Sequence, residues 1–132
     1  MKKNLKAYLI DAKNQMARAV ETEDELDALY SLLDCDMIEI HSITIAGNPK
    51  VFDVVMDEEG TFKADPKISA INEYGQPMFV GSILITGTAD KEGNLADLTE
   101  DDIDFIKSHV TESVYTLNHP EGLVALKDVS MA

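Results

Sequence analysis

Met78-Phe79-Val80-Gly81-Ser82-Ile83-Leu84-Ile85-Thr86 is the most apolar run of the chain. Its length and β-branched content predict a central strand buried on both faces. Gly81 in its middle predicts a close backbone approach or a bulge. Such a strand needs neighbours. Residues 5–11, Leu-Lys-Ala-Tyr-Leu-Ile-Asp, read as a first strand, and residues 12–21 fit a second strand or a helical turn. Residues 37–45, Met-Ile-Glu-Ile-His-Ser-Ile-Thr-Ile, are strongly strand-like. Their alternation changes phase, with Ile38 and Ile40 pointing one way and Ile43 and Ile45 the other. One extra residue near His41 and Ser42 restores the phase, so a β-bulge or bend is expected there. Gly47-Asn48-Pro49-Lys50 reads as a turn. Residues 51–56 read as the returning strand, with Phe52, Val54 and Met56 on one face. Asp57-Glu58-Glu59-Gly60 is a second turn, and residues 61–63 extend the hairpin.

Two helices frame these strands. The first is expected over residues 23–33, with Thr22 as N-cap and Glu25 three residues later completing a capping box. Leu26, Leu29, Tyr30 and Leu33 form its apolar stripe. The acids Glu23, Asp24 and Glu25 suit a first helical turn, where the dipole favours anions. The second begins after Thr99, with Asp102 in the N3 place of another capping box. Ile103, Ile106 and Val110 are its stripe and Phe105 lies at the edge. Asp65-Pro66 has the form of an N-cap followed by proline, and any helix there is short because Gly75 and Pro77 close it. Asp90-Lys91-Glu92-Gly93-Asn94 is a turn. Beyond residue 110, residues 114–117 and 123–126 are placed to pair across Asn118-His119-Pro120-Glu121-Gly122, or else the tail is an arm or a partner-binding strand.

The 132 residues hold 45% hydrophobic side chains, enough for a core without disulfide staples. Cys35 is the single cysteine, which excludes an internal disulfide and fits a reducing cytosol. No segment approaches the 18 or so unbroken apolar residues of a membrane helix. The apolar stretch after Lys2, Lys3 and Lys6 stops at Asp11, too soon for a signal peptide. A cytoplasmic protein is expected.

Charge is the unusual quantity. The chain carries 25 Asp and Glu against 11 Lys and Arg, a net charge of −14. This disfavours a grip on nucleic acid or anionic membranes, and no aromatic residues interleave with the bases to form a stacking platform. Residues 1–52 are net −3, residues 53–104 net −10 and residues 105–132 net −1. The central acids gather at two places, Asp57, Glu58 and Glu59 at one turn and Asp97, Glu100, Asp101, Asp102 and Asp104 around a helix start. They are either solvated surface or one negative face that occupies a basic, nucleic-acid-binding surface of another protein. At one charge per ~1.7 Å of duplex axis, fourteen excess negatives equal about 24 Å of DNA.

Catalytic and metal-holding patterns are absent from the sequence. His41, His109 and His119 lack helical metal spacing. Cys35 and His41 share no ligand spacing, and a nucleophile pair needs a third orienting group and a pocket. There is no phosphate-binding glycine loop, and residues 57–60 lack the spacing of a calcium loop. With 25 acids, a close carboxylate pair is not diagnostic.

Read in order, a set of short stretches resembles a known family. They are Lys6-Ala7-Tyr8-Leu9-Ile10-Asp11, Leu29-Tyr30-Ser31-Leu32-Leu33-Asp34-Cys35-Asp36, Val54-Val55-Met56-Asp57-Glu58-Glu59-Gly60, Phe79-Val80-Gly81-Ser82-Ile83-Leu84-Ile85, and Glu92-Gly93-Asn94-Leu95 leading into Leu98-Thr99-Glu100-Asp101-Asp102-Ile103. Over residues 5–110 the chain resembles the domain of unknown function 3846 family, small proteins common in phages, plasmids and integrated elements of bacteria. The resemblance carries no catalytic residues. It implies a mobile-element setting, in which small acidic proteins include inhibitors of host defence nucleases, some of them DNA mimics.

The expected fold is α+β, a mostly antiparallel sheet of four or five strands with two packed helices over residues 1–110, then an extension over 111–132. The expected function is a non-enzymatic acidic binding protein of a phage or mobile element. Its negative face comprises Asp57, Glu58, Glu59, Asp97, Glu100, Asp101 and Asp104, and its partner is a basic, nucleic-acid-binding or defence protein. The alternative is a regulatory or structural adaptor that self-associates as a homo-oligomer, its acids only solubilising. A small enzyme would need a pocket with a shifted carboxylate or with His41 lining it, and one joining His41, Cys35 and an acid would favour that reading. No cofactor, metal, catalytic residue, direct nucleic-acid contact or membrane contact is expected.

Overall fold

The apolar run 78–86 is divided between two sheets. In the computed structural model of the chain, which describes residues 4–23, 25–58, 67–111 and 124–132, Pro77–Val80 and Ile83–Thr86 are separate strands. Gly81 sits at the break with φ +87°, a left-handed conformation that costs a residue with a Cβ about 1–2 kcal/mol. The expected single strand is thus corrected. The half after Gly81 keeps the predicted character, since Ile83, Leu84, Ile85 and Thr86 are all fully buried.

In chain order the elements are β1 Asn4–Asp11, β2 Met16–Glu23, α1 Leu26–Leu33, β3 Ile38–Ile45, β4 Asn48–Asp57, β5 Ile68–Ile71, β6 Pro77–Val80, β7 Ile83–Thr86, α2 Glu100–Ser108, β8 Val110–Thr111, β9 Ala125–Leu126 and β10 Val129–Met131. A six-stranded sheet has the order β10-β3-β4-β7-β1-β2 and a smaller one the order β6-β5-β9-β8. Every pairing is antiparallel except β5 with β9. The α+β class and two helices stand; four or five strands is too few, because several of the strands have only two to four residues and leave little periodicity to read.

The large sheet is covered on both faces. On one, Tyr8, Ile10, Ile43, Ile45, Phe52, Val54, Met56, Ile83 and Ile85 meet the small sheet and α2 through Ala70, Phe79, Leu126 and Ile106. On the other, Leu5, Ala7, Leu9, Val55 and Leu84 meet Leu29 and Leu33 of α1, with Cys35 and Leu95. This explains the phase change in β3 without a bulge at His41 and Ser42. Ile38 packs on the α1 side, Ile43 and Ile45 on the other, and Ile40 stays 47% exposed. The ladder to β4 is continuous through His41 and Ser42, and its register shifts only between Thr44 and Ile45. Asn48, Pro49 and Lys50 belong to β4 rather than to a turn, which is made by Ala46 and Gly47.

Residues 16–23 settle as a strand paired along its length with β1. That pairing corrects the start of α1. Thr22 and Glu23 lie opposite Leu5 and Asn4 in the ladder, so they stay extended and the expected capping box does not form. Glu25 is the N-cap and makes no side-chain cap bond. The side chain of Leu26 lies outside the described part of the structure. At the other end Asp34 adopts the left-handed conformation, and the amides of Asp34 and Cys35 bond the carbonyls of Ser31 and Tyr30. α2 starts as expected: the Thr99 hydroxyl accepts from the Asp102 amide, and the Asp102 carboxylate accepts from the Thr99 amide. It ends at Ser108, so Val110, expected in its apolar stripe, belongs to β8 instead and pairs with Leu126.

From Ile68 to Val80 the described chain is a strand hairpin, not a short helix, its turn tied by the Asn72 side chain to the amides of Tyr74 and Gln76; Asp65 and Pro66 lie outside the described residues. So do residues 59–63, 114–117 and 123. Past that point, β9 pairs with β5 and β8, and β10 pairs with β3. Val124, Ala125, Leu126 and Val129 are buried, and the Val124 amide donates to the Gln15 side chain in the β1–β2 turn. The C-terminal residues are therefore part of both sheets.

Candidate functional site

The central acids lie at two ends of the large sheet. One end carries the start of α2. Glu100, Asp101 and Asp104 are exposed there, on the first turns where the helix dipole stabilises anions. Asp97 joins them, and its Oδ1 accepts from the Lys6 amide at 2.9 Å. Asp102, on the same turn, is buried and held by Lys50 Nζ at 2.6 Å. Burial alone would raise its pKa. The Lys50 hydrogen bond, those with Thr99 and the Lys50 charge outweigh burial, so the carboxyl lies below the ordinary aspartate value. Asp102 thus fastens α2 to β4 and is not part of a free negative surface.

Asp57 and Glu58 lie at the other end. Asp57 closes β4, seven residues past Lys50, or about 24 Å along an extended strand. It is buried, whereas Glu58 is exposed. Glu59 lies outside the described residues. Of the expected face, Asp97, Glu100, Asp101 and Asp104 come together, and Asp57 and Glu58 are separated from them by the length of the sheet.

Near Asp57 the two layers leave a groove of about 410 Å³. Met56, Met78, Phe79 and Met131 supply its apolar lining, and Glu39, His41, Asp57 and Glu58 its polar one. His41 Nε2 stands 3.3 Å from Glu39 Oε1, and its ring stacks on Phe79 at 5.8 Å between centroids. Cys35 does not reach this groove; it is buried in the core on the opposite face of the sheet. The pocket joining His41, Cys35 and an acid is therefore not formed. His109 ends α2, its Nδ1 3.0 Å from the Phe105 carbonyl oxygen, and His119 lies outside the described residues. Among the described residues no three His, Cys, Asp or Glu side chains gather as a metal-holding group, and no helix is long and apolar enough to cross a membrane.

The family model described as domain of unknown function (DUF3846) matches residues 5–111. The chain belongs to this family. The match runs from β1 through β8, so the α2 acids lie inside the DUF3846 domain, whereas β9 and β10 follow it. No curated protein and no solved structure matches the chain.

Sequence reasoning missed the groove of this DUF3846 protein. Its lining comes from β3, β4, β6 and β10 and spans residues 39 to 131. The only local signal is a methionine excess, with Met56, Met78 and Met131 among six methionines and no tryptophan in the chain.

Proposed function

We propose that this protein is a non-enzymatic binding protein that captures a basic protein partner through the acidic end at α2. Supporting this reading is one observation above the others. Asp97, Glu100, Asp101 and Asp104 are exposed together, while the neighbouring Asp102 is already neutralised by Lys50. Glu100 to Asp104 rises about 6 Å along the helix, comparable to a few steps of charge along a duplex. A protein surface that binds phosphates would meet carboxylates at similar spacing. The mobile-element setting belongs to the same proposal, with a host nucleic-acid-binding or defence protein as the partner. Asp57 and Glu58, at the other end of β4, are left out of that contact.

The test is capture from a bacterial host lysate at low salt, with the purified chain as bait. The expected result is a basic, nucleic-acid-binding protein that is released between about 0.05 and 0.2 M salt. Glu100→Lys with Asp101→Lys and Asp104→Lys should abolish the capture. Retention of the same partner by the triple variant, or no basic protein at any salt, would refute the reading.

A second reading, self-association, has its own support in β2. This eight-residue strand lies at the sheet edge with Met16 52% exposed, a template for another chain's edge. Sedimentation that returns a monomer at high protein concentration would remove it.

A further inference from the structure

The groove between the large sheet and β6 differs in character from the α2 end. Its floor is apolar and rich in methionine: Met56, Met78 and Met131 with the Phe79 ring. Thioether side chains are flexible and polarisable, and they adapt to apolar groups of varied shape. Met131 remains 50% exposed on a chain that carries 36 charged residues. The polar lining is anionic at Glu39 and the exposed Glu58, and among the described residues no lysine or arginine lines it. His41, stacked on Phe79 and 3.3 Å from Glu39, belongs to the same lining. The groove opens beside two edge strands, β6 of the small sheet and β10 of the large one. A volume of about 410 Å³ holds a few side chains.

We infer that this groove docks a short peptide segment of a partner protein, in which an arginine or lysine is flanked by apolar residues. The cation sits against Glu39 and Glu58, and its apolar neighbours lie on Met56, Met78, Phe79 and Met131. These two carboxylates repel phosphorylated or acidic ligands, so charge selects the basic segment and the floor selects its neighbours. The neighbouring strand edges suit an extended backbone. The site stands on residues distinct from the α2 acids, so it survives or fails independently of the function proposed above.

The experiment uses the full chain labelled at its methionine methyl groups and three synthetic nonapeptides with glycine–serine flanks. Their centres are Leu-Arg-Leu, Leu-Glu-Leu and Gly-Arg-Gly. The Leu-Arg-Leu peptide should shift the methyl signals of Met56, Met78 and Met131, leave Met16 unmoved, and bind at least about tenfold more tightly than either control. Met131→Glu and Glu58→Lys, both at exposed positions, should each weaken it about tenfold. Glu92→Lys, which makes the same charge change in a distant turn, should alter it less than about twofold. The inference is overturned if the three groove methyls do not move, if Gly-Arg-Gly binds equally well, or if Glu92→Lys weakens binding as much as Glu58→Lys.

Discussion

Asp102 does three tasks with one carboxylate. It completes the cap of α2, neutralises Lys50 and ties a helix to a strand 52 residues away in sequence. Its native pKa is depressed, so as pH falls the unfolded chain takes up the proton first. The stabilisation is complete above the unfolded-state value near 4 and is lost as pH drops through the lower native value. Asp102→Asn, which keeps the shape, should cost about 1 kcal/mol at pH 7. Urea unfolding across pH should find the gap from the native protein closing below about pH 4; a gap that persists in acid would mean that packing, not charge, is lost. Gly81 is the other residue on which the architecture turns. Gly81→Ala should destabilise by about 1–2 kcal/mol through its positive φ. An unchanged urea midpoint would remove the explanation of how the 78–86 run changes sheets.

The two helices contrast in how locally they are specified. α2 follows its capping box because Thr99 and Asp102 are three residues apart and bond each other. α1 departs from its own apparent box because Thr22 and Glu23 are claimed by the ladder to β1. A cap motif holds only where no strand competes for its backbone. β10 shows the same dependence from the other direction. Its three residues have no periodicity to read, yet Val129 is fully buried and the strand forms one edge of the large sheet. Removing residues 128–132 should therefore cost at least about 2 kcal/mol from the burial of Val129 alone, seen as a lower melting temperature. A truncated chain that melts like the intact one would make this segment an accessory arm.

A net charge of −14 acts on folding and on binding with opposite signs. Screening relieves self-repulsion of the compact state, so stability should rise with salt, while capture of a basic partner should fall over the same range. Melting temperature and partner affinity measured across one salt series test both. A melting temperature that falls with added salt would mean that ion pairs such as Lys50–Asp102 outweigh the repulsion. The acids themselves are legible in the sequence, but their separation to two ends of one sheet is not. It depends on how many residues β4 spans between Lys50 and Asp57, and on Lys50 meeting Asp102.

Local chemistry was enough for the capping box of α2, the buried segment at 83–86, the one-sided pattern of Phe52, Val54 and Met56, and the α+β class, because each arises from residues within one or two turns or strand repeats. The change of sheet at Gly81, the late start of α1, the pairing of the shortest strands, the neutralised Asp102 and the methionine groove depend on contacts between residues far apart in the chain. Burial on both faces of a sheet is a property of what covers it, and no window of sequence contains the covering elements along with the strand.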